Sequence, residues 1–89
     1  MPRDPEDLRT RLKEAIVHRF RQSPSAADTA RGVLASWLPE AGLQAAPPAL
    51  VADVLAELVE EGVLREEPVT GGEPLFVRGE KFGRRKHRP

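Results

Sequence analysis

Apolar residues recur at helical spacing in three stretches of the chain. In the first stretch they occupy every fourth position from Leu8 to Phe20, which predicts one buried stripe on a helix of about four turns. A second set runs from Ala27 to Leu38 and a third from Leu50 to Val59, with intervals of three and four residues. The pattern therefore predicts three amphipathic helices.

Each predicted helix begins at residues that suit a helix start. Asp4 can cap the first helix, and Pro5 fits its first position, where no backbone N–H is needed. Ser25 and Asp28 have the spacing of a capping box, with Asp in place of the usual Glu or Gln, and they predict the start of the second. The third is predicted to begin at Pro47–Pro48.

A glycine stop and a hairpin follow the third helix. Gly62 stands where a helix commonly ends in a left-handed residue, and Val63 can close the hydrophobic contact of a Schellman motif. Residues 63–67 and 75–78 read as two strands, and Gly71–Gly72 between them can adopt the positive φ angles of a turn. The sequence therefore predicts a β-hairpin after three helices.

The apolar positions of these elements define the predicted core. Trp37 belongs to it because a large ring on an apolar stripe is usually buried. The core predicted from the pattern comprises Leu8, Leu12, Ile16, Phe20, Val33, Leu34, Trp37, Leu38, Val54, Leu55, Leu58, Leu64 and Phe76. Leu43, in the connection before the third helix, is also expected to point inward.

The outer face of the first predicted helix is charged. It carries Arg9, Arg11, Lys13, Glu14, Arg19 and Arg21. A face of this kind is normally solvated, and a helix that faces nucleic-acid phosphates is the alternative. His18 has no partner nearby in the sequence, so we expect it on the surface.

Charge is distributed unevenly although the net charge is zero. Residues 47–74 contain one arginine and seven acidic residues, whereas residues 75–89 contain six basic residues and one acidic residue. Residues 80–89 show no apolar periodicity, so we expect them to form a flexible basic tail. Their removal should then leave the melting temperature almost unchanged.

Several classes of protein are disfavoured by what the sequence lacks. There is no cysteine, His18 and His87 lie far apart, and no apolar run has the ~20 residues of a membrane span. No nucleophile with a base, phosphate loop or cofactor motif is visible. We therefore expect a cytoplasmic, non-catalytic protein with no metal, cofactor, membrane contact or small-molecule substrate.

The order of third helix, glycine and hairpin over residues 47–79 resembles a winged helix-turn-helix domain. The resemblance implies an α+β domain over residues 1–79, with three helices and the hairpin as the wing, followed by the tail at 80–89. It also implies DNA binding and a role in transcription regulation. The chain departs from the family at residues 40–46, because this joint is longer than the three- or four-residue turn of a DNA-reading helix pair.

Nucleic-acid association is the first functional hypothesis. The exposed face of the third helix is acidic and rich in alanine, which neither attracts phosphate nor reads guanine. We therefore expect the wing and the tail to contact DNA, mainly at its backbone and with little sequence specificity. The predicted contacts are Arg65, Arg78, Lys81, Arg84, Arg85, Lys86 and Arg88.

A protein-interaction or dimerisation module is the alternative. Small residues on the third helix permit close packing, and its acidic groups complement the basic tail of the same or another copy. The residues predicted for this surface are Pro48, Ala49, Ala52, Asp53, Ala56, Glu57 and Glu60. The negative charge of the third helix favours a protein partner, whereas the family resemblance and the basic tail favour DNA.

Overall fold

The computed structural model describes residues 5–83, with the side chains of residues 7–83. Helix α1 spans Pro5–Gln22, helix α3 spans Pro48–Glu60, and the strands β1 and β2 span Leu64–Glu67 and Leu75–Arg78. Between α1 and α3, three short helical pieces follow one another without a break and form helix α2 over residues 30–40. This confirms the predicted class of three helices and an antiparallel hairpin.

Helix α1 presents an apolar stripe to the core. Leu12, Ile16 and Phe20 are fully buried, and Leu8 is partly buried at the edge. The outer face is charged, and His18 is exposed as predicted. The predicted cap, Asp4, lies outside the described residues. No helix between residues 5 and 83 combines the length and the apolar character needed to cross a bilayer.

Helix α2 begins later than predicted. It starts at Ala30, where the Thr29 hydroxyl accepts a 3.0 Å hydrogen bond from the backbone N–H of Gly32. The capping box predicted from Ser25 and Asp28 is wrong, because the backbone of Asp28 pairs with β2 instead. The Phe76 N–H donates to the Asp28 carbonyl at 2.8 Å. Pairing with a distant strand therefore decides where the helix starts.

A π-helical turn over Val33–Trp37 lies inside α2. The Leu38 N–H donates to the Val33 carbonyl, five residues back, and Pro39 follows at once. In a regular α-helix a proline ring crowds the carbonyl four residues before it. A wider turn ahead of Pro39 relieves that crowding, and the helix ends one residue later at Glu40.

The end of α3 forms the predicted Schellman motif. Gly62 has a φ of 82°, and its N–H donates to the Val59 carbonyl at 3.0 Å. The Val63 N–H reaches back to the Leu58 carbonyl, also at 3.0 Å. This motif reverses the chain and leads directly into β1.

The register of the hairpin determines which side chains share a face. Leu64 pairs with Arg78 and Glu66 with Phe76, whereas Arg65 pairs with Val77 on the other face. In the connecting loop Gly71 has a positive φ of 74° and Gly72 does not. The face with Leu64 and Phe76 covers the helices, since both side chains are buried.

The core lies where the three helices meet the inner face of the hairpin. Trp37 is 6% exposed, which confirms its predicted burial, and Leu43 points inward from the joint. Leu34 is only half-buried. Apart from Leu8 at the edge, the remaining predicted core residues are buried, and Val51 and Ala46 join them.

The chain stays packed beyond β2. Residues 79–83, here called the C-terminal turn, follow the hairpin and place Phe82 half-buried against the core. The Phe82 ring meets the Phe20 ring edge-on at 6.3 Å between centroids, and Phe20 meets Trp37 in the same way at 5.0 Å. Disorder was expected from Glu80 onward, but the packed structure extends to Gly83. Residues 84–89 lie outside the described residues.

Candidate functional site

Among the described residues, four ion pairs join α1 to α3 and to Glu61, the residue that follows α3. The Arg9 guanidinium lies 2.6 Å from a Glu57 carboxylate oxygen and 3.4 Å from Asp53. The Lys13 ammonium lies 2.9 Å from the second Glu57 oxygen and 3.1 Å from Glu61. One flank of α3 therefore has its carboxylates engaged within the domain.

The network shifts the ionisation of its members. Hydrogen bonds from Lys13 and then from Arg9 lower the pKa of Glu57. The hydrogen bond to Glu57 is in turn the main cause that raises the pKa of Arg9 and of Lys13. All three groups stay charged across the neutral range, so the network is intact at physiological pH.

The surface predicted for a protein partner is divided by this network. Asp53 and Glu57 turn toward α1, and Glu57 is only partly exposed. The other members are exposed: Pro48, Ala49, Ala52, Ala56 and Glu60. The outward face of α3 therefore consists mainly of small apolar side chains, with fewer free carboxylates than the sequence suggested.

The wing does not gather its cations into one site. Arg65 pairs with Glu67 at 2.8 Å on the outer face, whereas Arg78 lies on the inner face with its guanidinium 4.2 Å above the Phe82 ring. Glu66, within β1, is also exposed. The structure therefore places Arg65 and Arg78 on opposite faces of the hairpin, with Arg65 paired to Glu67.

A groove of about 810 Å³ runs between α1, the α2–α3 joint, the end of α3 and the C-terminal turn. Its floor is apolar, and its rim carries more basic than acidic side chains. The floor contains Ala15, Val17, Leu43, Leu58 and Val63, and the rim contains Arg11, Lys13, Glu14, His18, Arg21, Ala41, Glu61, Lys81 and Gly83. We call this feature the cationic groove.

The rim has an excess of positive charge. Arg11, Arg21 and Lys81 form no ion pair with any residue in the described part of the chain. Of the two rim carboxylates, Glu61 is already bound to Lys13. Three cations are therefore available to an anionic ligand at this groove.

The cationic groove contains one predicted nucleic-acid contact together with residues whose role the sequence left undecided. Lys81 was predicted to bind nucleic acid, whereas Arg11 and Arg21 belonged to a face expected to be either solvated or phosphate-facing. The signal was present in the sequence, because Arg11, His18 and Arg21 recur at intervals that keep them on one side of a helix. The contacts predicted at Arg84, Arg85, Lys86 and Arg88 fall outside the described residues, and this segment begins directly after Gly83 on the rim.

The sequence matches no family model, and comparisons with curated proteins and with solved structures gave no match. The function must therefore be inferred from the geometry and the charges of this chain.

Proposed function

We propose that this protein is a non-catalytic, winged-helix-like module that associates with nucleic acid through the phosphate backbone. The cationic groove carries this proposal. Arg11, Arg21 and Lys81 on its rim have no ion-pair partner within residues 7–83, and the basic segment 84–89 follows Gly83 in the sequence.

Electrostatics determine which surface meets the ligand. Each phosphate that a lysine or arginine neutralises releases condensed counterions, and this release drives binding. Helix α3 and the wing expose carboxylates such as Glu60 and Glu66, which phosphates repel. The proposed contact is therefore the α1 side of the molecule together with the segment 84–89, rather than a recognition helix in the major groove.

Low sequence specificity follows from the composition of the groove. Its floor is aliphatic, so it offers no amide or guanidinium group to base edges. The cations on the rim are positioned for phosphates, which are the same in every sequence. The module would then bind duplexes of different sequence with similar affinity.

A charge-matched pair of double variants tests the proposal. Labelled duplex is titrated by fluorescence anisotropy at about 50 mM and about 200 mM salt. The Arg11→Ala/Arg21→Ala variant should bind more weakly, with the slope of log K against log salt reduced by about two. The control, Arg31→Ala/Arg65→Ala, removes the same charge from residues paired with Glu73 and Glu67 away from the groove. It should bind like the wild type.

Two results would contradict the proposal. Equal losses in both variants would mean that only net charge matters, and absence of wild-type binding at the lower salt would exclude a phosphate ligand. The second result would favour a protein partner on α3. That alternative is supported by the exposed alanines at 49, 52 and 56, because ion pairs to α1 leave this face with little free charge.

A further inference from the structure

The C-terminal turn is attached to the junction between α3 and β1. The Gly79 N–H donates to the Val63 carbonyl at 2.8 Å, and the Lys81 N–H donates to the Gly62 carbonyl at 2.9 Å. A β-carbon at position 79 would collide with the Gly62 carbonyl oxygen and lie 2.8 Å from that of Leu64. The backbone of the turn therefore passes so close to Gly62 and Leu64 that position 79 has no room for a side chain.

Phe82 is the side chain that fastens this turn to the core. Its ring is half-buried against Phe20 on one side, and the Arg78 guanidinium lies over it. Lys81, by contrast, is exposed, and its stem packs over Gly62. Phe82 is therefore the only large apolar side chain of the turn, and it is the one in contact with the core.

The position of this ring determines one wall of the cationic groove. Lys81 and Gly83, the residues on either side of Phe82, both lie on the rim across from α1. If the ring left its place, Lys81 would no longer be held across from Arg11 and Arg21.

We propose that Phe82 is a positioning residue for the phosphate contact. This inference rests on the proposed function. Phe82 does not touch the ligand; it holds Lys81 at the rim, across from α1.

The test compares variants that leave the net charge unchanged. Phe82→Ala should bind a labelled duplex about tenfold more weakly than the wild type, because an ordered charged contact is lost. The slope of log K against log salt should fall by about one as Lys81 leaves the rim. Phe82→Tyr keeps the ring and should retain affinity and slope. Phe82→Leu, which keeps part of the apolar contact, replaces the alanine variant if that variant does not fold.

A stability control separates positioning from a general loss of structure. Leu34 is half-buried against the same core but does not line the groove, so Leu34→Ala should lower the melting temperature and leave the salt slope unchanged. If the wild type binds and Phe82→Ala binds with the same affinity and salt slope, this inference alone is overturned. Absence of wild-type binding would overturn both the inference and the proposed function.

Discussion

At the residue scale, the contact between α1 and α3 centres on Glu57. One carboxylate oxygen accepts from Arg9 and the other from Lys13, so a single side chain bridges two turns of the first helix. Such surface pairs contribute modestly to stability because solvent screens them. Their clearer consequence is a dependence of stability on pH.

The direction of this dependence follows from the lowered pKa of Glu57. A carboxyl group with a lower pKa in the folded state adds stability above its unfolded pKa of about 4.3. That stability is lost as the pH falls through the folded value, whereas Arg9 and Lys13 stay charged throughout this range. Between pH about 6 and about 3, Glu57→Gln should therefore lose less thermal stability than the wild type.

Melting curves followed by circular dichroism at several pH values measure the difference. Glu60→Gln is the matched control, since it removes a carboxylate from the same helix that has no ion-pair partner among the described residues. Its acid sensitivity should equal that of the wild type. A Glu57→Gln profile parallel to the wild type would show that the bridge does not affect stability.

At the scale of elements, main-chain segments approach each other closely at the junction of α3, β1 and the C-terminal turn. Gly79→Ala should destabilise the protein by about 1–3 kcal/mol, because the new methyl group forces apart main-chain segments that cannot yield like a side chain. Gly72→Ala is the control, since its nearest contact would be at 3.9 Å and its φ is not positive. Denaturant unfolding that gave both variants equal stability would contradict the close approach.

The elements that sequence patterns predicted are those with local causes. The stripes of α1 and α3 follow from apolar repeats, and the Schellman end follows from Gly62 because its hydrogen bonds join neighbouring residues. The start of α2 could not be obtained in this way. The sequence offers two possible N-terminal caps, Thr29 and the capping box predicted from Ser25 and Asp28. Which of them is used depends on the pairing of Asp28 with Phe76 in a distant strand.

The candidate site was harder to predict for a related reason. Phe82 is one aromatic residue in a basic segment, and no periodicity marks it as part of the core. The groove exists only after α1 and the C-terminal turn have come together, so neither sequence stretch contains it alone. The sequence indicated a basic contact at Lys81, and the structure adds the cations of α1.

At the scale of the whole molecule, the C-terminal turn joins the hairpin to the cationic groove. The contributions of this turn and of the residues after it to stability can therefore be measured separately. Truncation after Gly83 should leave the melting temperature close to that of the full chain. Truncation after Gly79 removes Phe82 and the Lys81 backbone bond, and should cost about 1–2 kcal/mol.

In a domain of this size such a loss lowers the melting temperature by about 5–15 °C. This replaces the expectation that removal of residues 80–89 has almost no effect. Differential scanning calorimetry of the two truncations measures the difference directly. Equal melting temperatures would show that the turn adds nothing to the packed core.

The contact of Phe82 with Phe20 also affects how the chain is made. Phe20 leaves the ribosome early, but the ring that covers it is synthesised only after all three helices and the hairpin. Until then the nascent domain exposes an aromatic edge, and nascent chains with exposed apolar surface are prone to aggregation. Packing around Phe20 is therefore completed only after residue 82 has been synthesised and has left the ribosome.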